Sequence, residues 1–177
     1  MINKPEWLII HHTGGSDANP LQDSSGFTFE QCDALHKNNP LVNLGHASAL
    51  GFYIGYHYYI DKLGKIKQGR IDTEDGAHCK GKNTTSLGIC LAGNFDLTLP
   101  TDAQIKSLRL LLLLKQNEWK IPLENIVPHR RFAVKTCYGK NLNDFWAADL
   151  ARPLVTNTTL NATLLSILKP LIKFFIN

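Results

Sequence analysis

Two apolar patterns alternate along this chain, and they predict different elements. Short unbroken apolar runs read as strands buried on both faces. Trp7-Leu-Ile-Ile-His-His-Thr13 is the first such run, stopped by Gly14-Gly15. Ser86-Leu-Gly-Ile-Cys-Leu-Ala92 is another, followed by Gly93-Asn94. Phe52-Tyr-Ile-Gly-Tyr-His-Tyr-Tyr-Ile60 is an aromatic strand candidate. Asp61-Lys-Leu-Gly64 then turns the chain, and Lys65 to Arg70 reads as the return strand of a hairpin. Ile126-Val-Pro128 is a short apolar approach to His129. Residues 14–27 are rich in Gly, Ser, Asp, Asn and Pro and read as a loop.

Helices announce themselves by their starts. Thr28-Phe-Glu-Gln31 has the form of a capping box and opens a helix to about Asn38, ended by Asn39-Pro40. Residues 41–51 form an irregular bridge. Thr101-Asp-Ala-Gln104 is a second capping box and opens the longest helix, with an apolar run from Leu110 to Leu114 and an end near Trp119. Asn141 to Leu150 is a third helix candidate. Strands and helices interleave, so the expected fold class is α/β, a central mixed β-sheet flanked by helices. One domain over residues 1–153 accounts for these elements, with a separate tail at 154–177.

The tail contains no Asp or Glu. Apolar residues fall at 160, 164, 167, 168, 171, 172 and 175, an amphipathic helical pattern that Pro170 should kink. Two roles suit it. It docks on the sheet by its apolar face, or it associates weakly with an anionic membrane, its polar face offering only Lys169 and Lys173.

Composition adds little to this picture. The 177 residues are 44% hydrophobic and carry a net charge of +4, ordinary for a globular protein with a mild preference for anionic partners. No basic cluster is dense enough for a nucleic-acid footprint. The four cysteines, Cys32, Cys79, Cys90 and Cys137, show no compact disulfide spacing and are expected to be free thiols. Met-Ile-Asn-Lys-Pro-Glu-Trp7 lacks the form of a signal peptide, and no run of about 18 apolar residues predicts a membrane span.

The chemistry concentrates in His129-Arg-Arg-Phe-Ala-Val-Lys135-Thr-Cys137. Imidazole nitrogen and thiolate sulfur suit zinc, and a catalytic zinc usually has three protein ligands and one open position. A third ligand must come from elsewhere. His11 and His12 end the first strand, but neighbouring strand residues point to opposite faces, so only one of them can join. A His₂Cys set would polarise water and a carbonyl, Lys135 would stabilise the charge that develops, and a tyrosine hydroxyl would be a second donor or proton relay. Taken singly, each residue has a plainer reading. His129 is then a surface or core histidine, Cys137 a buried thiol, Lys135 solvated, Tyr56 packing, and His78 a turn residue.

Several stretches read together change the balance. Leu8-Ile-Ile-His11-His-Thr13, Gly55-Tyr56-His-Tyr-Tyr-Ile60, Gly76-Ala-His78-Cys-Lys-Gly-Lys-Asn83, Ser86 to Asn94, and Pro128-His129 through Cys137-Tyr-Gly-Lys140 occur in this order. In these motifs the chain resembles the zinc-dependent N-acetylmuramoyl-L-alanine amidases, the family that includes phage lysozyme-type amidases and peptidoglycan recognition proteins. The resemblance covers roughly residues 5 to 150. It implies Zn²⁺ as cofactor, held by His11, His129 and Cys137, with Tyr56 and Lys135 catalytic and His78 lining the substrate groove. A lysine at 135 is similar to the phage lysozyme-type branch. Many members have Cys-Pro-Gly where this chain has Cys137-Tyr138-Gly139, a difference that touches no ligand.

The implied activity is hydrolysis of the amide between N-acetylmuramic acid and L-alanine in peptidoglycan, by a monomer made in the bacterial cytoplasm that acts on the cell wall after release, as a phage endolysin or a bacterial wall amidase. Three rivals are a receptor-like peptidoglycan-binding module without catalysis, a cytoplasmic amidase recycling anhydromuropeptides, and a cysteine hydrolase pairing Cys137 with a histidine.

Overall fold

The computed structural model describes residues 2–16, 18–40 and 45–152. The tail proposed at 154–177, and with it the choice between a docked and a membrane-associated helix, lies outside the described residues. Five strands form one sheet: β1 (Trp7–His12), β2 (Tyr58–Ile60), β3 (Ile66–Gln68), β4 (Ser86–Leu91) and β5 (Ile126–Pro128), in the order β3-β2-β4-β1-β5. β2, β4, β1 and β5 run parallel, and β3 returns antiparallel at the edge as half of the expected hairpin. The sheet is thus mixed, and every residue of β4 is buried, as its unbroken apolar run predicts.

Alternation along β1 divides the core. Leu8 and Ile10 join Leu87, Ile89, Leu91, Tyr58 and Ile60 under α2 (Asp102–Trp119), through Leu108, Leu111 and Leu112, and under α3 (Trp146–Leu150). On the opposite face Tyr59 and Cys90 pack against Phe29 and Cys32 of α1 (Phe29–Asn38), and Ile9 packs with Cys79 and Val127. Both long helices start at the expected capping boxes. The Gln31 N–H donates to Thr28 Oγ1 at 3.2 Å, and the Gln104 N–H donates to Thr101 Oγ1 at 3.1 Å. Gln104 also donates from Nε2 to the Ala92 carbonyl at 2.8 Å, fixing the start of α2 beside the end of β4.

A buried polar knot locks α2 to the sheet. Asp72 accepts from Tyr58 Oη at 2.6 Å, from Lys115 Nζ at 2.7 Å and from Trp119 Nε1 at 2.9 Å. Lys115 falls one helical turn beyond Leu111 and Leu112, so it continues the inward stripe of α2 and meets Asp72 there.

Two elements are shorter than their patterns predict. The strand expected over Phe52–Ile60 is reduced to Tyr58–Ile60 because side chains of α1 take its amides. Asp33 Oδ1 accepts from the N–H groups of Tyr53 and Ile54, and His36 Nδ1 accepts from Gly55 N–H at 2.8 Å. The third helix, expected from Asn141, begins only at Trp146. The carbonyl of Leu142 is taken by Arg130, and Asn143 Oδ1 caps the Phe145 N–H at 2.9 Å.

Candidate metal centre

Strand pairing creates the site. β1 and β5 are parallel neighbours with Ile10 opposite Pro128. The next residue of each, His11 and His129, therefore leaves the sheet side by side at its C-terminal edge, with ring centroids 4.4 Å apart. Such an edge is where open α/β sheets place their ligands. His12 turns to the other face, where its Nδ1 accepts from Phe95 N–H at 3.0 Å. Alternation thus separates the two adjacent histidines, and the layering of helices decides which one faces the cleft.

Cys137 is delivered by a loop that folds back after β5. Its Sγ lies 3.8 Å from His11 Nδ1, and one ligand atom each from His11, His129 and Cys137 lies within 4.8 Å of the others. Tetrahedral zinc with ordinary Zn–N and Zn–S lengths separates nitrogen from sulfur by about 3.6 Å. The donor set therefore fits such an ion with only small side-chain adjustment.

Arg130 holds that loop. Its Nη1 donates to the carbonyls of Thr136 and Gly139 at 3.1 and 2.7 Å, its Nη2 donates to the carbonyl of Leu142 at 2.6 Å, and its backbone N–H donates to the Cys137 carbonyl at 2.7 Å. Asp96 tethers the same loop, accepting from Thr136 Oγ1 and from Lys140 N–H, each at 2.7 Å. Neither residue is among the sequence-level candidates. Arg130 stands inside the last motif, but its type alone reads as solvated.

The donors line an open cleft of about 610 Å³, shared with Tyr56, His78, His36, Asp96, Lys135 and Thr136. All six expected site residues therefore meet in one place. Tyr56 is half-buried with its ring centroid 5.0 Å from that of His11 and 5.3 Å from that of His36. Its position follows from the α1 contacts that pin residues 53–55. Lys135 is exposed at the rim, and its charge lowers the proton affinity of His11, His129 and Cys137. His78 is buried in the wall, its Nδ1 3.1 Å from His11 Nε2.

Burial sets the protonation of the cluster. Burial pulls His129 down to about 4, with Lys135 adding to the effect. His11 is held well below the usual histidine range by burial, then by His78 and His129. Both are neutral imidazoles at pH 7, the form that ligates metal. Burial pushes the Cys137 thiol up to about 12, against the His12 backbone N–H and Lys135, which favour its thiolate. Burial also raises Tyr56 well above the usual tyrosine value, helped by Cys90 and Cys32, so it stays a phenol and a donor.

Fold and site together define an α/β protein with a His–His–Cys cluster that could hold a metal ion, in an open cleft at the C-terminal edge of a mostly parallel sheet. The chain belongs to the N-acetylmuramoyl-L-alanine amidase family, whose model matches residues 2–140. It is 31% identical over 140 residues to the endolysin of Escherichia phage T7, covering 71% of this chain and 87% of that protein. It is 30% identical over 138 residues to peptidoglycan-recognition protein SC2 of Drosophila simulans, covering 77% of this chain and 69% of that one. Among solved structures it is similar to the N-acetylmuramoyl-L-alanine amidase LysC from Clostridium intestinale URNW, with a TM-score of 0.63 at 28% identity over 84% of this chain and 83% of that chain. The expected family and the expected α/β fold with a mixed sheet are both borne out.

Proposed function

We propose that this peptidoglycan hydrolase is a zinc-dependent amidase that cuts the bond between the lactyl group of N-acetylmuramic acid and the L-alanine of the stem peptide. The observation that carries this reading is the convergence of one ligand atom each from His11, His129 and Cys137 to within 4.8 Å, in a chain of the amidase family. His11, His129 and Cys137 would hold the zinc, which would supply Lewis acidity for the water and the scissile carbonyl. Lys135, at the rim, reaches over the cleft and stabilises the negative charge that grows on the carbonyl oxygen. Tyr56, kept protonated by its surroundings, hydrogen-bonds the reacting groups and relays a proton toward the departing amine. The openness of the cleft suits a branched glycopeptide.

A cysteine nucleophile is disfavoured by the same site. Burial raises the Cys137 thiol and lowers His129, both directions away from the thiolate–imidazolium pair that such chemistry needs. As for an endolysin, the proposed site of action is the cell wall, reached after release from the cytoplasm. No helix among the described residues is long and apolar enough to cross a membrane.

Mass spectrometry of digested peptidoglycan tests the proposal. The expected products are glycan strands with free lactyl carboxyl groups and stem peptides with free L-alanine amino groups. Chelation abolishes their formation, zinc restores it, and Cys137→Ser loses the metal. Cleavage of a glycosidic bond, or amide cleavage that persists after complete removal of zinc, would overturn the reading.

A further inference from the structure

His78 is the buried group that the proposed chemistry leaves unused, and its surroundings are specific. Its imidazole sits in a slot between two glycines. A Cβ on Gly88 would lie 2.5 Å from the His78 ring, and a Cβ on Gly76 would lie 2.4 Å from it. Asn83 Oδ1 accepts from the backbone N–H groups of His78 and Cys79, each at 2.9 Å, which fixes the main chain that carries the ring. His57 packs edge-on against it at 5.7 Å between centroids. A ring so enclosed has one orientation.

That orientation fixes proton positions along a chain of contacts. Ser86 Oγ lies 2.6 Å from the Lys82 carbonyl, which can only accept, so the Ser86 hydroxyl proton is committed there. His78 Nε2 lies 3.4 Å from Ser86 Oγ. With its own proton used, Ser86 can only accept on this side, and Nε2 of His78 carries the hydrogen. The other nitrogen of His78, Nδ1, then presents a lone pair to His11 Nε2 at 3.1 Å. His11 must donate from Nε2, and its own lone pair is left on Nδ1, the atom 3.8 Å from Cys137 Sγ.

We infer that His78 is a positioning residue for the metal ligand His11, and that the series Lys82 carbonyl, Ser86, His78 holds His11 in the tautomer whose Nδ1 faces Cys137. The inference rests on the zinc reading above, and it moves His78 from substrate contact to ligand support. A ligating histidine whose second nitrogen is held by an acceptor binds metal more tightly, because ring orientation and tautomer are set in advance.

The test uses the zinc-free protein and the zinc ion itself. At pH 7.5, nitrogen-15 correlation spectra of the wild-type imidazoles are expected to show His11 protonated at Nε2 and bare at Nδ1. His78→Ala is expected to populate both His11 tautomers and to weaken zinc binding, by chelator competition, about 10- to 100-fold. His78→Asn places an amide oxygen where Nδ1 stood and is expected to restore affinity to within about threefold of wild type. Gly88→Ala, which crowds the ring, is expected to mimic His78→Ala in both readouts. Zinc affinity unchanged in His78→Ala, with only KM for peptidoglycan raised, would return His78 to substrate contact and overturn the inference. Protonation of His11 at Nδ1 in the wild type would overturn it even if every variant failed to fold. A wild type that does not bind zinc would instead sink the zinc-amidase reading itself, a separate outcome.

Discussion

Replacing Arg130 by alanine isolates the cost of delivering Cys137 to the centre. The side chain donates to three loop carbonyls, those of Thr136, Gly139 and Leu142, and pairs with Asp144. Asp144 is 65% exposed, so the ion pair contributes little. Hydrogen bonds from a charged donor contribute about 1.5–3 kcal/mol each when buried. The Arg130 side chain is 20% exposed, and the freed carbonyls regain some water. A total of about 2–4 kcal/mol follows, since such terms overlap rather than add. For a chain of this size that corresponds to a Tm lower by roughly 5–15 °C. The loop then also loses its fixed shape, and zinc must order it at about 1–2 kcal/mol per residue fixed, so zinc affinity falls by roughly 10- to 100-fold. Differential scanning calorimetry with and without zinc separates the two effects. The Tm of the zinc-free protein reports the lost bonds, and a smaller rise on adding zinc reports the weaker site. Arg130→Lys should recover little, because one ammonium cannot span three carbonyls. An Arg130→Ala protein that melts within 2 °C of wild type and binds zinc equally well would refute the argument.

Three further outcomes follow from other parts of the molecule. Tyr56→Phe should lower kcat by roughly 10²-fold or more while zinc affinity stays within about twofold, since the proposed role of the hydroxyl is toward the reacting groups and not the metal; equal losses in both would contradict that role. Asp72→Ala should destabilise the protein by about 3–5 kcal/mol in urea unfolding, because it breaks a buried ion pair and leaves Lys115 with only the half-exposed Glu118 as partner; a loss below about 1 kcal/mol would show the knot to be incidental. Acid should weaken the fold through two buried histidines. His36 is held near 4 by burial and by Arg70 against Asp33, and His57 near 4 by burial against the Glu74 carbonyl. Both lie below the unfolded value of 6.5, so the unfolded chain binds more protons between those limits. Stability is complete above pH 6.5 and falls as pH drops toward 4, by about 2 kcal/mol per histidine at pH 5. A urea midpoint that stays flat from pH 7 to pH 5 would contradict this.

What the sequence discloses and what it conceals have physical causes. Helix starts are legible because capping is local: Thr28 and Thr101 each find their partner glutamine three residues on. The β4 strand is legible because both its faces are covered and its run is unbroken. The shortening of the strand before Tyr58 is not, because the acceptors that take its amides, Asp33 and His36, sit on a helix that pattern alone cannot dock. His11 and His12 illustrate the same limit. Alternation excludes their acting together, but only the stacking of α1 and α2 on opposite faces assigns them. His11, His129, Cys137 and Lys135 are visible through the motifs around them. Arg130 and Asp72 are hidden because a lone charge looks solvated until its carbonyls or its buried lysine are seen.

The pairing of β1 with β5 has a consequence for how the protein is made. His11 leaves the ribosome early, whereas His129 and Cys137 come from the far side of the domain, and β5 must slot beside β1 before the three meet. No shorter nascent fragment holds the complete centre. A chain released between His129 and Cys137 would carry all five strands and both histidines, yet lack the cysteine of the cluster. The His–His–Cys cluster is thus completed in a single late step of the domain's synthesis, when Cys137 joins two histidines that β1 and β5 have already brought together.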